Sequence, residues 1–477
     1  MKKISKVIKI TAVVTAMAML LCSCKGSSDK DNSSGEVDGT VNSEISGHVT
    51  FAVQDSVAEQ YDEILASFED LYPNIDVEVK IYSGDLTTTL SAWATAKSLP
   101  DVVISWDNLS YFAAQGWVYP LDEFLEKDEE TKYINKTSLE SFVYEGKTYA
   151  VPAWLQFSTI VVNLDLLESL NMDVPDYDWT IEEFVELAKE ATTKTSSGLN
   201  HTESLEQYLM ETMLGGNQWG YNPETKTFDL TSGAFVNAVK TVNELTAYPQ
   251  LVADGLRNQD VVQAGGQDDY AKKFGAGADG LADGKILFAN QSTWDDAWMS
   301  SSFKEFEWDY YPIPAETKED SKMIVHADYG MMLSSAKDPQ AAYELLKFFT
   351  FGRDGLMARL SQAETGEDRT SRFTIPSSSH PDVVEKFNAA KNVPDGIKYM
   401  YNHMDQSVKG DFSKVLPDYW SVVNDPIWTA KDRIAKGEDA AAVAREVEKK
   451  LNEDFAASYQ TFSSKMQEVQ QEFDAAH

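Results

Sequence analysis

The sequence predicts an α/β fold in two domains, and three observations carry that expectation. Apolar residues alternate over residues 48–53 (Val49, Phe51, Val53) and again over residues 75–81 (Ile75, Val77, Val79, Ile81), as they do in half-buried strands. Between these runs Tyr61, Ile64, Leu65, Phe68, Leu71 and Tyr72 recur at helical spacing until Pro73 stops the helix. Strand, helix, strand in succession begins a parallel sheet with crossover helices. The chain from residue 47 onward is about 430 residues long, more than a single hydrophobic core accommodates.

The next elements continue the pattern. Asp85 stands where an N-cap belongs for a helix over residues 86–97, and Val102, Val103 and Ile104 form a buried strand. Ser105, Trp106, Asp107 and Asn108 follow at the carboxyl end of that strand, the end at which open parallel sheets place their ligands. Glu145-Gly146 separates two β-prone runs, residues 142–144 and 148–151, as a hairpin turn does. Beyond Pro152, Ala153-Trp154-Leu155-Gln156 leads into a strand around residues 160–162. Thr180 and Glu183 make a capping box, with Trp179 and Phe184 as its hydrophobic staple, so a helix is expected from Ile181. Asp338-Pro339 starts another helix, and Val443, Val447, Leu451 and Phe455 line one face of a helix near the C-terminus that reads as core.

Charge and missing motifs narrow the function. A formal net charge of −36 repels phosphate backbones and anionic lipid headgroups, so nucleic acid is not an expected partner. The sequence has no Gly-x-Ser-x-Gly elbow and no His-Glu-x-x-His, and its six histidines and two cysteines form no cluster at metal-ligand spacing. No cofactor or metal is expected. Residues 275–280 match the dinucleotide fingerprint letter for letter, but they follow a polar run and precede the strand-like Ile286-Leu287-Phe288, the reverse of the required context. They read as a loop.

At the amino terminus, Lys2 and Lys3 precede an apolar run over residues 10–21 and then Leu21-Cys22-Ser23-Cys24. A positive start and an apolar core of about 12 residues, too short to span a bilayer, make a secretory signal. The ending resembles a bacterial lipobox, which implies a signal peptide over residues 1–23 and a diacylglyceryl group on Cys24. The alternative is a plain secretory signal with an incidental cysteine. Residues 24–46, rich in Ser, Gly, Asp and Asn, are expected to form a disordered tether.

A series of short segments resembles the family 1 extracellular solute-binding proteins of bacterial ABC sugar importers. These are Phe68-x-x-x-Tyr72-Pro73-Asn74-Ile75, Leu99-Pro100-Asp101-Val102, Gly116-Trp117-Val118-Tyr119-Pro120-Leu121-Asp122 and Glu145-Gly146-Lys147-Thr148-Tyr149-Ala150-Val151-Pro152. Val162-Asn163-Leu164-Asp165, Trp179-Thr180-x-x-Glu183-Phe184, Asp283-Gly284-Lys285 with Trp294, Pro312-Ile313-Pro314 and Asp338-Pro339 with Ala342 continue the order. The resemblance implies two α/β lobes of the periplasmic-binding-protein type, joined by crossing segments near residues 155–157, 327–330 and 374–377. One lobe would comprise residues 47–155 plus 329–373, the other residues 156–328 plus 374–477. It also implies a monomeric receptor without enzymatic activity, tethered to the cell membrane by lipid alone, that passes a carbohydrate to permease subunits. Many aromatics favour an oligosaccharide.

Sugars present apolar faces rimmed by hydroxyls, so their sites need aromatic walls and planar polar groups. Trp106 and Asp107 at a strand end, Trp154 and Gln156 at the first crossing, and Asp328 and Tyr329 at the second are candidates on position. Asp55 and Trp294 are candidates by resemblance. A secreted glycoside hydrolase or lyase and a ligand-sensing subunit of a membrane receptor are the alternative functions.

Overall fold

The computed structural model describes residues 41–303, 305–365, 373–410 and 412–476. The signal peptide, Cys24 and most of the expected tether lie outside these residues. At the beginning of the described chain, Asn42 N donates to Leu71 O at 2.7 Å and Asn74 Nδ2 donates to Ser43 O at 2.7 Å. The chain therefore meets the fold a few residues before the strand that starts at Gly47.

Ten strands form the main sheet: β1 (Gly47–Gln54), β2 (Ile75–Tyr82), β3 (Val102–Ser105), β4 (Val151–Asn163), β5 (Ser197–Leu199), β6 (Ile286–Ser292), β7 (Trp308–Pro312), β8 (Met323–Met332), β9 (Ile375–Pro376) and β10 (Ser407–Lys409). Their order is β2-β1-β3-β8-β4-β6-β5, with β7 and β9 also on β4 and β10 on β8. β1 runs parallel to β2 and β3, whereas β8 is antiparallel to both β3 and β4.

Two long strands divide this sheet into halves. Residues 151–157 of β4 pair with β8, and from Ser158 onward the same strand pairs with β6 and β7. One strand thus belongs to both halves, and its change of partner falls at Phe157/Ser158. On β8 the register shifts between Asp328 and Tyr329. The third expected crossing is β9, in which Ile375 opposes Leu155 and Pro376 opposes Trp154. All three crossings therefore meet around Leu155, which also opposes Ala327.

Local sequence signals account for the elements around this junction. α1 (Ala58–Leu71) buries Tyr61, Ile64, Phe68 and Leu71 against the first half, where Phe51, Tyr61 and Phe349 pack ring against ring. α2 (Leu86–Thr95) starts where Asp85 Oδ1 accepts from Thr88 N at 2.7 Å. Val143–Tyr144 pairs with Lys147–Thr148 across Glu145 and Gly146, both at positive φ, as a tight hairpin requires. α3 (Ile181–Glu190) carries the full Thr180/Glu183 capping box, and Trp179 meets Phe184 edge-on at 5.5 Å. Next come α4 (Leu205–Leu214), α5 (Pro339–Phe349) and α6 (Arg353–Thr365), then α7 (Asp425–Ala435) and α8 (Ala440–Ala476). Asp338 does not cap its own helix; its carboxylate accepts from His48 N at 3.0 Å and ties α5 to β1.

The C-terminal helix α8 has 37 residues and is about 55 Å long. Its apolar face is buried as the spacing predicts, but against both halves. Phe455 packs on Tyr221 and Phe228, whereas Phe462 meets Tyr144 and Phe473 meets Tyr119. Residues 275–280 form the loop between a short helix, Asp269–Phe274, and β6.

Candidate functional site

The parallel strands of the first half end side by side, and their carboxyl ends carry polar groups. Past β1, Asp55 is exposed and accepts from Ser83 Oγ at 2.6 Å. Past β3, Trp106 is 42% exposed, a large ring left in solvent beside Asp107. Asp107 N donates to Ser105 Oγ at 3.0 Å, and that hydroxyl returns a bond to the Asp107 carboxylate at 3.2 Å. Burial raises the Asp107 carboxyl above the ordinary aspartate range, and the charges of Asp85 and Asp328 add to the effect while Lys414 opposes it.

Tyr329 is placed differently. It is fully buried, and its hydroxyl donates to Asp107 O at 2.8 Å. Its contribution to a ligand would run through the backbone that carries Asp107.

At the junction, Trp154 and Asp328 oppose each other across β4 and β8. Asp328 Oδ1 accepts from Lys414 Nζ at 2.9 Å, and the same ammonium lies 3.3 Å from Ala327 O. Trp154 is half-buried, and the Arg359 guanidinium of α6 lies 4.7 Å from its ring centroid. The Arg359 guanidinium also lies 5.6 Å from the Tyr61 ring centroid and donates to Phe349 O at 3.4 Å; burial lowers its pKa, and the Tyr61 phenol is pushed up to about 12 by its own burial. The guanidinium thus lies near both the Trp154 indole and the Tyr61 ring.

The second half contributes the loop after β6. Gln156 Oε1 accepts from Thr293 Oγ1 at 2.5 Å, and this hydroxyl accepts from Phe157 N at 2.9 Å, so the residue before Trp294 is fixed to the crossing. Trp294 is 50% exposed and meets His326 edge-on at 5.0 Å. His326 Nε2 lies 2.8 Å from Ser158 Oγ, a distance that would suit a nucleophile and its base. Both side chains are buried, so the pair has no access to a substrate and serves as a support for Trp294.

Trp154, Gln156 and Asp328 thus stand at the junction, Trp294 is tied to it through Thr293 and Asp107 through the buried Tyr329, whereas Asp55 and Trp106 stand at the neighbouring strand ends. The structure adds residues that spacing does not reveal. Lys414, Arg359, Thr293 and His326 hold candidates in place from distant parts of the chain. Further along the second half, His201 lies 3.4 Å from Gln291, Asn290 Nδ2 donates to Glu203 O at 2.7 Å, and Glu206 is ion-paired with Lys431. Lys431 Nζ is also 3.8 Å from the Trp428 ring centroid, and Trp428 is 47% exposed. Trp420, 63% exposed, stands on a π-helical turn, Tyr419–Asn424, that precedes α7. Alternation of apolar and polar residues does not flag His201, Glu203, Glu206 or Lys431, whose contacts with Gln291, Asn290 and each other span 87 positions or more.

Two lobes on a shared strand pair, with aromatic and carboxylate groups at their junction, define a ligand-gripping receptor of the periplasmic-binding-protein fold. The model of the bacterial extracellular solute-binding protein family matches residues 54–351, and the chain belongs to that family. Its members capture solutes outside the cytoplasm and are not enzymes. Binding proteins of Brucella abortus (strain 2308) and Brucella suis biovar 1 (strain 1330) are each 25% identical over 296 residues, 60% of this chain and 67% of theirs. Among solved structures, a sugar transporter of Rhizobium etli in an open conformation superposes with a TM-score of 0.64 at 17% identity, covering 86% of this chain and 100% of its own. The sugar-binding protein MalE from Xanthomonas citri gives 0.63 at 14% identity over 87% and 99%. An ABC substrate-binding protein of Listeria monocytogenes in complex with cycloalternan gives 0.62 at 17% identity over 86% and 99%. Among the described residues no helix is long and apolar enough to cross a membrane, and no group of three or more His, Cys, Asp or Glu side chains is placed to hold a metal ion.

Proposed function

We propose that this protein captures a carbohydrate, an oligosaccharide rather than a single sugar, between its two lobes and delivers it to the permease of an ABC transporter. The observation that carries the reading is a half-exposed indole in each half, Trp106 past β3 beside Asp107 and Trp294 past β6 in a loop that Thr293 ties to Gln156. Indole faces suit the apolar faces of sugar rings, and the carboxylate and amide suit their hydroxyls. Asp55, Trp154 and Asp328 complete the set, with Tyr329 as a positioning residue. The relatives support the class of ligand: the solved structures include proteins bound to cycloalternan, to α-D-tagatose and to acarbose.

In this reading residues 47–155 and 329–373 form one lobe and residues 156–328 and 374–477 the other, closing about the three crossings, while α8 and the segment around Lys414 bridge the two. A ligand that touches both sides favours the closed state by its differential affinity for it. The chain is monomeric and held at the outer face of the membrane by a lipid on Cys24, behind a signal peptide of residues 1–23 and a tether of residues 24–46. Three measurements test this. A thermal-shift screen against neutral oligosaccharides should find a stabilising ligand, since one present at 100 times its dissociation constant adds about 2.7 kcal/mol. Small-angle scattering with that ligand should then show a smaller radius of gyration. Cys24→Ala should release the protein from membranes; unchanged fractionation would remove the anchor from the proposal and leave the binding reading intact.

A further inference from the structure

The three parallel strands of the first half end in one row. Gln54 of β1 pairs with Tyr82 of β2, and the Ala52–Val103 pair carried two residues on sets Gln54 beside Ser105 of β3. Residues in register on parallel strands point to the same face, so the Tyr82 and Ser105 side chains share one side of the sheet. Tyr82 is 6% exposed, and its hydroxyl has no hydrogen-bond partner among the described residues. Buried phenols are ordinarily paired, so this one has a bond left to make.

Carboxylates flank the unpaired group. Burial raises the Tyr82 phenol's pKa, and the charges of Asp107 and Asp55 add to the effect, which sets both within reach of it. Asp55 leans toward the end of β2, where it accepts from Ser83 Oγ, and Asp107 is held by Ser105 Oγ. Asp85 and Asp328 act on Asp107 in turn. The ammonium that acts on Asp107 is that of Lys414, which is already paired with Asp328. Between Ser105 and Asp107 stands the half-exposed Trp106, whose ring face attracts cations as well as the C–H groups of a sugar.

A neutral hydroxyl in this place would satisfy the phenol but leave the carboxylate charges unopposed. A protonated amine answers both, because it donates to Asp55, to Asp107 and to the phenolic oxygen while its charge offsets theirs. We propose that the sugar unit seated over Trp106 is an amino sugar, whose protonated amine is held by Asp55, Asp107 and the Tyr82 hydroxyl. The inference rests on the carbohydrate reading and narrows it to a class of ligand. Neutral oligosaccharides keep the ring contacts and bind more weakly.

The test is calorimetric titration of the full-length protein with matched pairs that carry an amine or a hydroxyl at the same position: the glucosamine trimer against cellotriose, and galactosamine against galactose. One amino sugar is expected to bind about tenfold tighter or more than its hydroxyl partner, with the gap narrowing at high salt. Asp107→Asn should bring the two members of that pair to nearly equal affinity. Tyr82→Phe should weaken the amino sugar about tenfold, the effect of one lost charge-assisted bond, and leave the melting curve of the free protein unchanged because the hydroxyl is unpaired there. Equal affinity within both pairs would overturn the inference and leave the carbohydrate reading standing. Ethanolamine bound as tightly as the amino sugar would also overturn it, since charge attraction alone would then suffice. If none of the sugars binds, this inference and the carbohydrate reading fall together.

Discussion

Lys414 Nζ lies 2.9 Å from Asp328 Oδ1, although the two residues are 86 positions apart in the chain. Each side chain is only 15% exposed. The pair joins the segment after β10 to the second crossing, and Leu109 N donates to Lys414 O at 2.7 Å, so the same residue also reaches the end of β3. One lysine thus connects three pieces of backbone around the candidate site.

Removing that lysine leaves a carboxylate in a poorly solvated place. Lys414→Met is expected to cost about 3 kcal/mol in urea unfolding, the scale seen when one partner of a buried pair is deleted. Asp328→Asn in the same chain should recover most of the loss, because the uncompensated charge is then gone. A double variant as unstable as Lys414→Met would show that packing of the lysine stem dominates, and not the charge.

Trp294 and Trp154 should respond to truncation in opposite ways. Trp294 is half-exposed, so Trp294→Ala is expected to weaken carbohydrate binding about tenfold to a hundredfold with little change in stability, by analogy with other aromatic stacking contacts. Trp154 carries the Arg359 guanidinium on its face and packs on the first-lobe core. Trp154→Ala should therefore cost about 2 kcal/mol or more of stability in addition to any loss of binding. Calorimetry and chemical unfolding on both variants separate the two roles. A Trp294→Ala protein that binds normally would remove this ring from the site.

Asp107 should make ligand binding sensitive to acid. Its carboxyl titrates above the ordinary 3.8 because burial disfavours the charge. A group whose folded pKa is raised favours the native state in its neutral form, so this contribution to stability is present below 3.8 and lost as pH rises through the folded pKa. Binding runs the other way, since only the carboxylate accepts hydroxyl hydrogens with both oxygens. Affinity is expected to fall as pH drops through the raised pKa, and Asp107→Asn should flatten that part of the profile. A pH profile identical in Asp107→Asn and the parent would assign the titration to another group.

The sequence foretold what depends on neighbours in the chain. The Thr180/Glu183 box, the Glu145-Gly146 hairpin and the Asp85 cap all form as their spacing demands, because each involves residues within a few positions of one another. The carboxyl end of β3 is legible for the same reason, which is why Trp106 and Asp107 could be named, whereas Asp55 rests on the resemblance. The rest depends on contacts between distant segments. Nothing near Trp154 announces Arg359, 205 positions later, and nothing near Trp294 announces that His326 supports it. Tyr329 is the instructive case. Its place at a crossing suggested a ligand contact, but a crossing strand has one face toward the cleft and one toward the core, and the register shift at Asp328/Tyr329 turns the tyrosine inward.

That same strand supplies a packing test, at Gly330. A β-carbon there would stand 2.5 Å from Leu346 Cδ1, 2.5 Å from Thr350 Cγ2 and 3.0 Å from Ile104 Cδ1, so these side chains must shift to admit one. Gly330→Ala is expected to destabilise by about 1–3 kcal/mol through overpacking. Because Asp328 lies two residues away on the crossing, the strain should also lower carbohydrate affinity, whereas Thr180→Ala, a cap deletion that costs about 1 kcal/mol, should lower stability alone. Leu346→Ala opens space at the contact, so the pair Gly330→Ala, Leu346→Ala should be less unstable than the two single losses added together. Strict additivity in that double-mutant cycle, measured by urea unfolding, would mean that the strand and helix are not held in the contact described.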